Sequence, residues 1–356
     1  TLIESGSLEG SKGSYRLVTP IERIAVPATV QAVLAARIDR LAEREKQVLQ
    51  AAAVIGKEFP EPILKAVFDG SDAELAGALQ KLKNGEFLYE QSLYPVAEYA
   101  FKHPLTQEVA LGSQLQERRA RTHGRVARAM RTAHPDRLDE QAALLAHHYQ
   151  EAGERDEAAR LHRRAALWLM KSDASESKAH WRRVLELVAS LEATPEWQRL
   201  ELEAIDQLLT NGWRFGDVGE EERKLAERGI ALAEQLGDRD TLSSIRWGYA
   251  ISLSCDGQLE AAEEPARRAV DLAEELDYAA RVLSRSILFD VLWHSGRVNE
   301  AAALGDETFA LGAPDYTIGV ARLGASMWNW QEARMGICHY LLGHPETARP
   351  LFARSL

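Results

Sequence analysis

The chain has 356 residues, 46% hydrophobic and 27% charged, proportions ordinary for a globular protein and ample for two or three domains. Its formal net charge of −11 and pI near 5.5 argue against nucleic acid as the main partner. No apolar run is long enough to span a membrane, and two cysteines without metal-type spacing, Cys255 and Cys338, point to a reducing, cytoplasmic setting.

Residues 1–26 carry Gly6, Gly10 and Gly13 ahead of Tyr15–Val18, which predicts a turn and a short strand. From Pro27 the three-four spacing of Val30, Val33, Leu34, Ile38 and Leu41 predicts a helix. Leu41–Ile55 repeats that rhythm until Gly56 stops it, and Pro60–Phe68 reads as a third, short helix. Ser71 or Asp72 can cap a fourth through Leu75, Leu79 and Leu82, ending at Asn84-Gly85. Two strand-like pieces follow, Phe87–Tyr89 and Glu98–Phe101, joined across Pro95. Three helices and a two-stranded hairpin in this order predict a winged helix.

Beyond Pro104 the pattern is helical almost to the last residue, with segments at 142–149, 156–170 and 175–191 and a break at Thr194-Pro195. A spaced signature recurs here: Gly153, Ala158, Ala165; Gly257, Ala262, Ala269; Gly296, Ala301, Thr308; Gly343, Ala348, Ser355. Leu232-Ala233-Glu234-Gln235-Leu236 likewise returns as Leu272-Ala273-Glu274-Glu275-Leu276. A glycine that ends one helix, then small residues that let the next pack closely, spells a helical hairpin repeated as a solenoid. The expected fold is mainly α: a winged helix followed by a tetratricopeptide-like helix-pair superhelix. The chain opens at Thr1 without an initiator Met and stops in a helix-like stretch, so a piece of a longer protein is expected.

Three stretches carry a family resemblance: Val26-Pro27-Ala28-Thr29-Val30-Gln31 through Arg37-Ile38-Asp39-Arg40-Leu41, Ala52-Ala53-Val54-Ile55-Gly56-Lys57-Glu58-Phe59, and Tyr99-Ala100-Phe101-Lys102-His103-Pro104-Leu105 through Ala110. Together they resemble the region after the ATPase core in bacterial signalling ATPases of the STAND class. The sub-group most similar is the multidomain class III adenylate/guanylate cyclases, where cyclase, ATPase and tetratricopeptide repeats follow in order. The specific resemblance covers about residues 20–190. It implies the end of an ATPase lid at 1–40, a winged-helix domain at 41–112 and a helical connector with the first repeat-like hairpins at 113–193, while the repeats at 194–356 rest on the periodicity above. It also implies that the repeats sense a protein or peptide and that the winged helix relays the signal to the protein's own ATPase domain and a cyclase output. Two rivals are a transcription regulator of similar build, with its DNA-binding domain outside this chain, and a non-enzymatic scaffold.

The resemblance also sorts the chemistry. A histidine at the junction that His103 occupies contacts the phosphate of bound ADP in related STAND proteins. Here the usual following aspartate is Pro104, and the plain alternative is a residue that only caps the helix. Bound nucleotide, ATP or ADP, would belong to the parent protein. This chain has no phosphate-binding loop, since Gly56-Lys57 is followed by Glu58 and lacks the upstream glycine, so no cofactor and no catalysis are expected of it.

Arg118, Arg119, Arg121, Arg125, Arg128 and Arg131 fall in a short run without an acid. Arg118, Arg121, Arg125 and Arg128 make one helical stripe that could hold an anionic partner. A solvated face balanced by Glu151, Glu154 and Asp156 is the plainer reading and the favoured one. The third helix of the winged helix starts with Asp72 and Glu74 and has only Lys81 and Lys83 as bases, which argues against DNA reading. Adjacent His147 and His148 diverge on a helix, one packed and one exposed, and do not make a metal site. Of the tryptophans at 213, 247, 293, 328 and 330, most are expected in the core, with an exposed pair as a candidate peptide anchor.

Overall fold

The computed structural model describes residues 8–11, 14–17, 28–94, 96–216 and 219–355, and it divides into two compact units, residues 1–158 and 159–356. In the first, β1 (Leu8–Ser11) pairs antiparallel with β2 (Ser14–Leu17), so the predicted strand near Tyr15 has a partner upstream. Val18 and Pro95 lie outside the described residues. Next come α1 (Ala28–Asp39), α2 (Glu43–Ile55), β3 (Glu58–Pro60), α3 (Glu61–Val67) and α4 (Asp72–Asn84). They are followed by β4 (Leu88–Ser92), β5 (Glu98–Phe101), α5 (Pro104–Gly112), α6 (Gln116–Ala133) and α7 (Ala142–Glu151).

Local chemistry accounts for the element ends. Ser71 accepts from the Glu74 amide while the Glu74 carboxylate accepts from the Ser71 amide at 2.8 Å, a reciprocal cap that starts α4. The predicted hairpin is present as β4 and β5, but it gains a third strand that the sequence reading lacked. β3 pairs with β5, placing Phe59 opposite Tyr99 in a sheet of order β3-β5-β4. Three residues after Gly56 were too few to show an alternating pattern. Phe59, stacked on Tyr99 and edge-on to Phe101, joins Val48, Leu49, Leu64 and Leu82 in one core. From α1, Ile38 joins that core and Leu34 is also buried, whereas Val30 and Val33 are exposed.

The unit boundary falls inside α8 (Arg155–Leu169). The second unit continues with α9 (Ala174–Val188), α10 (Pro195–Gly212), α11 (Glu220–Leu236), α12 (Arg239–Cys255), α13 (Leu259–Ala273), α14 (Tyr278–His294) and α15 (Val298–Ala310). A single-turn α16 (Val320–Leu323), α17 (Met327–Leu341) and α18 (Pro345–Ser355) complete it. Thr194 caps α10 through its hydroxyl and Pro195 opens the helix.

The recurring glycines all take the left-handed conformation, with φ of 78°, 78°, 76° and 85° at Gly153, Gly257, Gly296 and Gly343, a region that costs any residue with a Cβ. The small residues that follow are buried, Ala262, Ala269, Ala301 and Thr308 completely and Ala348 almost so, while Ser355 is half-buried. In this unit α12 packs on α13, α13 on α14, and α12 on both α10 and α14, so each hairpin contacts its neighbours in sequence. The fold is mainly α, with tetratricopeptide-like helix-pair repeats.

Candidate functional site

Within the repeat unit α12 and α14 lie side by side, and their adjoining faces carry small residues. α12 presents Asp240, Ser243, Ser244 and Trp247 at i, i+3, i+4 and i+7, while α14 presents Ala279, Ala280, Leu283 and Ser284. With Asp277 and Leu323 they enclose a recess of about 250 Å³. Alanine and serine leave this space because larger side chains at the same positions would fill it.

The hydroxyls are anchored. Ser243 Oγ donates to the Ala269 carbonyl at 3.0 Å, Ser244 Oγ to Asp206 Oδ1 at 2.5 Å, and Ser284 Oγ to the Arg281 carbonyl at 3.2 Å. Trp247 Nε1 donates to Ser286 Oγ at 3.4 Å, which fixes the indole as one wall. Each such hydroxyl keeps lone pairs for a visitor. The recess therefore combines an apolar wall, fixed hydroxyls and two carboxylates, and none of the described residues lining it is cationic.

The residues singled out from sequence fall elsewhere. His103 is the N-cap residue of α5, exposed, with extended backbone and no side-chain capping bond. Of the arginine stripe on α6, Arg121 pairs with Glu117 at 2.7 Å, Arg125 with Asp69 at 2.7 Å and Arg128 with Glu154 at 2.7 Å, and Arg131 pairs with Glu157 at 3.1 Å. Arg118 has no ion pair among the described residues, although its charge helps hold the Asp69 carboxyl below the usual range. On α4 both bases are engaged, Lys81 with Glu45 and Lys83 with Glu90, each at 2.8 Å. At the other end of that helix Asp72 meets Lys65 and Glu74 meets Arg44.

His148 is buried and His147 exposed. The structure adds a partner that sequence reasoning missed: His148 Nδ1 lies 2.9 Å from His123 Nδ1 in α6, one nitrogen donating and the other accepting. Burial pushes the His123 ring down to about 4, helped by repulsion from His147 and Arg119. It pushes His148 down to about 3, with His123 and His147 adding to the effect. A second pair, His162 and His180, meets Nδ1 to Nδ1 at 2.7 Å in the repeat unit, and burial also lowers His180. The one available signal was the Leu145, His148, Tyr149 spacing, which turns His148 toward the core.

Trp247 and Trp328 are buried, Trp213 and Trp293 half-buried, and Trp330 is exposed beneath the Arg334 guanidinium. The expected exposed pair is thus a single ring. Cys255 is exposed and Cys338 buried, both free thiols. Among the described residues no three His, Cys, Asp or Glu side chains gather as metal ligands, and no helix is long and apolar enough to cross a membrane.

No family model matches the chain. An uncharacterized protein of Rhizobium meliloti is 26% identical over 229 residues, 62% of this chain, and the chain spans about a fifth (22%) of that relative's length. Among solved structures, a STAND protein with a tetratricopeptide repeat sensor from Pyrococcus horikoshii aligns over 93% of this chain and 53% of its own, at 13% identity and a TM-score of 0.39. A Rap protein complexed with competence and sporulation factor aligns over 92% and 97%, also at 13% and 0.39. BtubC from P. vanneervenii aligns over 68% and 90%, at 16% and 0.34.

Proposed function

We propose that the repeat unit is the protein- or peptide-sensing part of a STAND-type regulator and performs no catalysis itself. The observation that carries this is the recess across α12 and α14, where alanines and anchored serines keep open a polar-and-apolar surface on stacked repeats. Repeats of this kind bind along extended surfaces, and fixed hydroxyls beside an indole suit an extended peptide, whose backbone needs hydrogen bonds and whose side chains need walls.

In the same reading α2, α3, α4 and the three-stranded sheet form a winged helix that serves as a relay rather than a DNA reader. The ion pairs that occupy Lys81 and Lys83 support that assignment. The relay would act on the protein's own ATPase domain and from there on a nucleotide-cyclase output. His103, exposed at the start of α5, would contact the phosphate of ADP held in the parent protein. Free thiols at Cys255 and Cys338 suit a cytoplasmic setting.

Selection of a displayed random peptide library against the chain tests the central step. Enriched peptides should bind the chain at micromolar affinity and lose at least ten-fold against Ala280→Trp, which fills the recess. No enrichment, or equal binding to Ala280→Trp, would refute the assignment.

A further inference from the structure

We infer that the recess between α2, the end of α3 and α6 is a binding site for a phosphate-bearing small molecule. It lies in the first unit and is independent of the peptide surface. Arg118, Arg121 and Arg125 form one wall, successive turns of α6 bringing their guanidinium groups to the same side. Gln47 and Gln50 of α2 face them, and Val67, Phe68 and Ala51 make an apolar end. The volume, about 480 Å³, is in the range of small-molecule sites and well above what a bare oxyanion needs.

The chemistry of the ligand is read from what the wall already holds. Asp69 is the single carboxylate of the lining, and its Oδ2 accepts from Arg125 Nη1 at 2.7 Å. The Asp69 carboxyl lies below the ordinary carboxylate range, first through that hydrogen bond, with Arg118 and Arg44 contributing charge and burial opposing. An internal oxyanion therefore sits in part of an arginine cradle that exceeds it in charge by two. Arg118 has no ion pair among the described residues. The Arg121–Glu117 pair is largely exposed, a class of contact that is easily given up.

Arginine is the sole base in the lining, and its planar fork matches two oxygens of a phosphoryl group, where lysine offers a point charge. The apolar end gives the body of a phosphorylated metabolite a place to pack. Arg128, bonded to Glu154, is outside the recess. The stripe of four thus becomes a site of three.

Calorimetric titration of the whole chain with inorganic pyrophosphate, at fixed ionic strength, decides the matter. Saturable binding is expected, weakened at least five-fold in Arg118→Gln and unchanged in Arg128→Gln. Asp69→Asn should tighten it about three-fold or more, because the internal competitor loses its charge while Arg125 stays. Circular dichroism of each variant should match the parent, since all three positions are on the surface. Absence of saturable binding overturns the proposal. So does equal weakening in Arg128→Gln, which would mean unspecific attraction to the basic helix, and so does weakening in Asp69→Asn.

Discussion

The buried pairing of His123 with His148 has a sign that can be worked out. Both rings are depressed from 6.5, to about 4 and about 3, so between those values and pH 6.5 the unfolded chain binds the additional protons. Stability from the pair is complete above about pH 6.5 and is lost as the pH falls toward 4. Acidic denaturation of carboxylates sets in lower, which leaves pH 7 to 5 as a window for these rings. A loss on the order of 4 kcal/mol for the pair, about 2 kcal/mol from each ring, is expected across it. Hydrogen exchange of the α6 and α7 amides should accelerate accordingly. In His148→Gln, which keeps a donor and an acceptor but does not titrate, that acceleration should fall by at least half. An unaltered pH response in the variant would remove the histidines from the explanation.

At the scale of elements, the stack depends on close approach at a few glycines. A Cβ on Gly248 of α12 would come within 2.9 Å of the Leu209 carbonyl carbon and the Thr210 nitrogen in α10, backbone that cannot rotate aside. Gly248→Ala is therefore expected to destabilise the repeat unit by about 1–3 kcal/mol despite alanine's better helix propensity. Urea denaturation would show this as a lower midpoint at unchanged slope; a stabilised variant would mean that the helices are freer to part than their packing implies. The same elements show what sequence could disclose. The hairpins were legible because their signals are local, a glycine and two small residues at set distances. The three-residue β3 and the histidine pairs were not, because each exists only through a partner remote in sequence: Phe59 needs Tyr99 and His148 needs His123. The arginine stripe was visible as a pattern. Its division into Arg128, held by Glu154, and three residues around a recess depended on where α2 and α3 pack.

For the whole molecule, the acidic balance and the paired lysines of α4 predict no nanomolar, sequence-dependent binding to duplex DNA at physiological salt, and a clear mobility shift under those conditions would reverse that expectation. The left-handed glycines have a consequence of another kind. Because Gly257 and Gly296 hold the same conformation at the same point of their hairpins, the stretch from one to the other is a unit of grammar. Excising it joins α12 to α15 across an equivalent turn, and the buried alanines of the receiving helix meet the kind of surface they met before. Lineages could thus lengthen or shorten such a protein by whole clauses, with unequal crossing-over supplying the edits and the turn keeping each one readable.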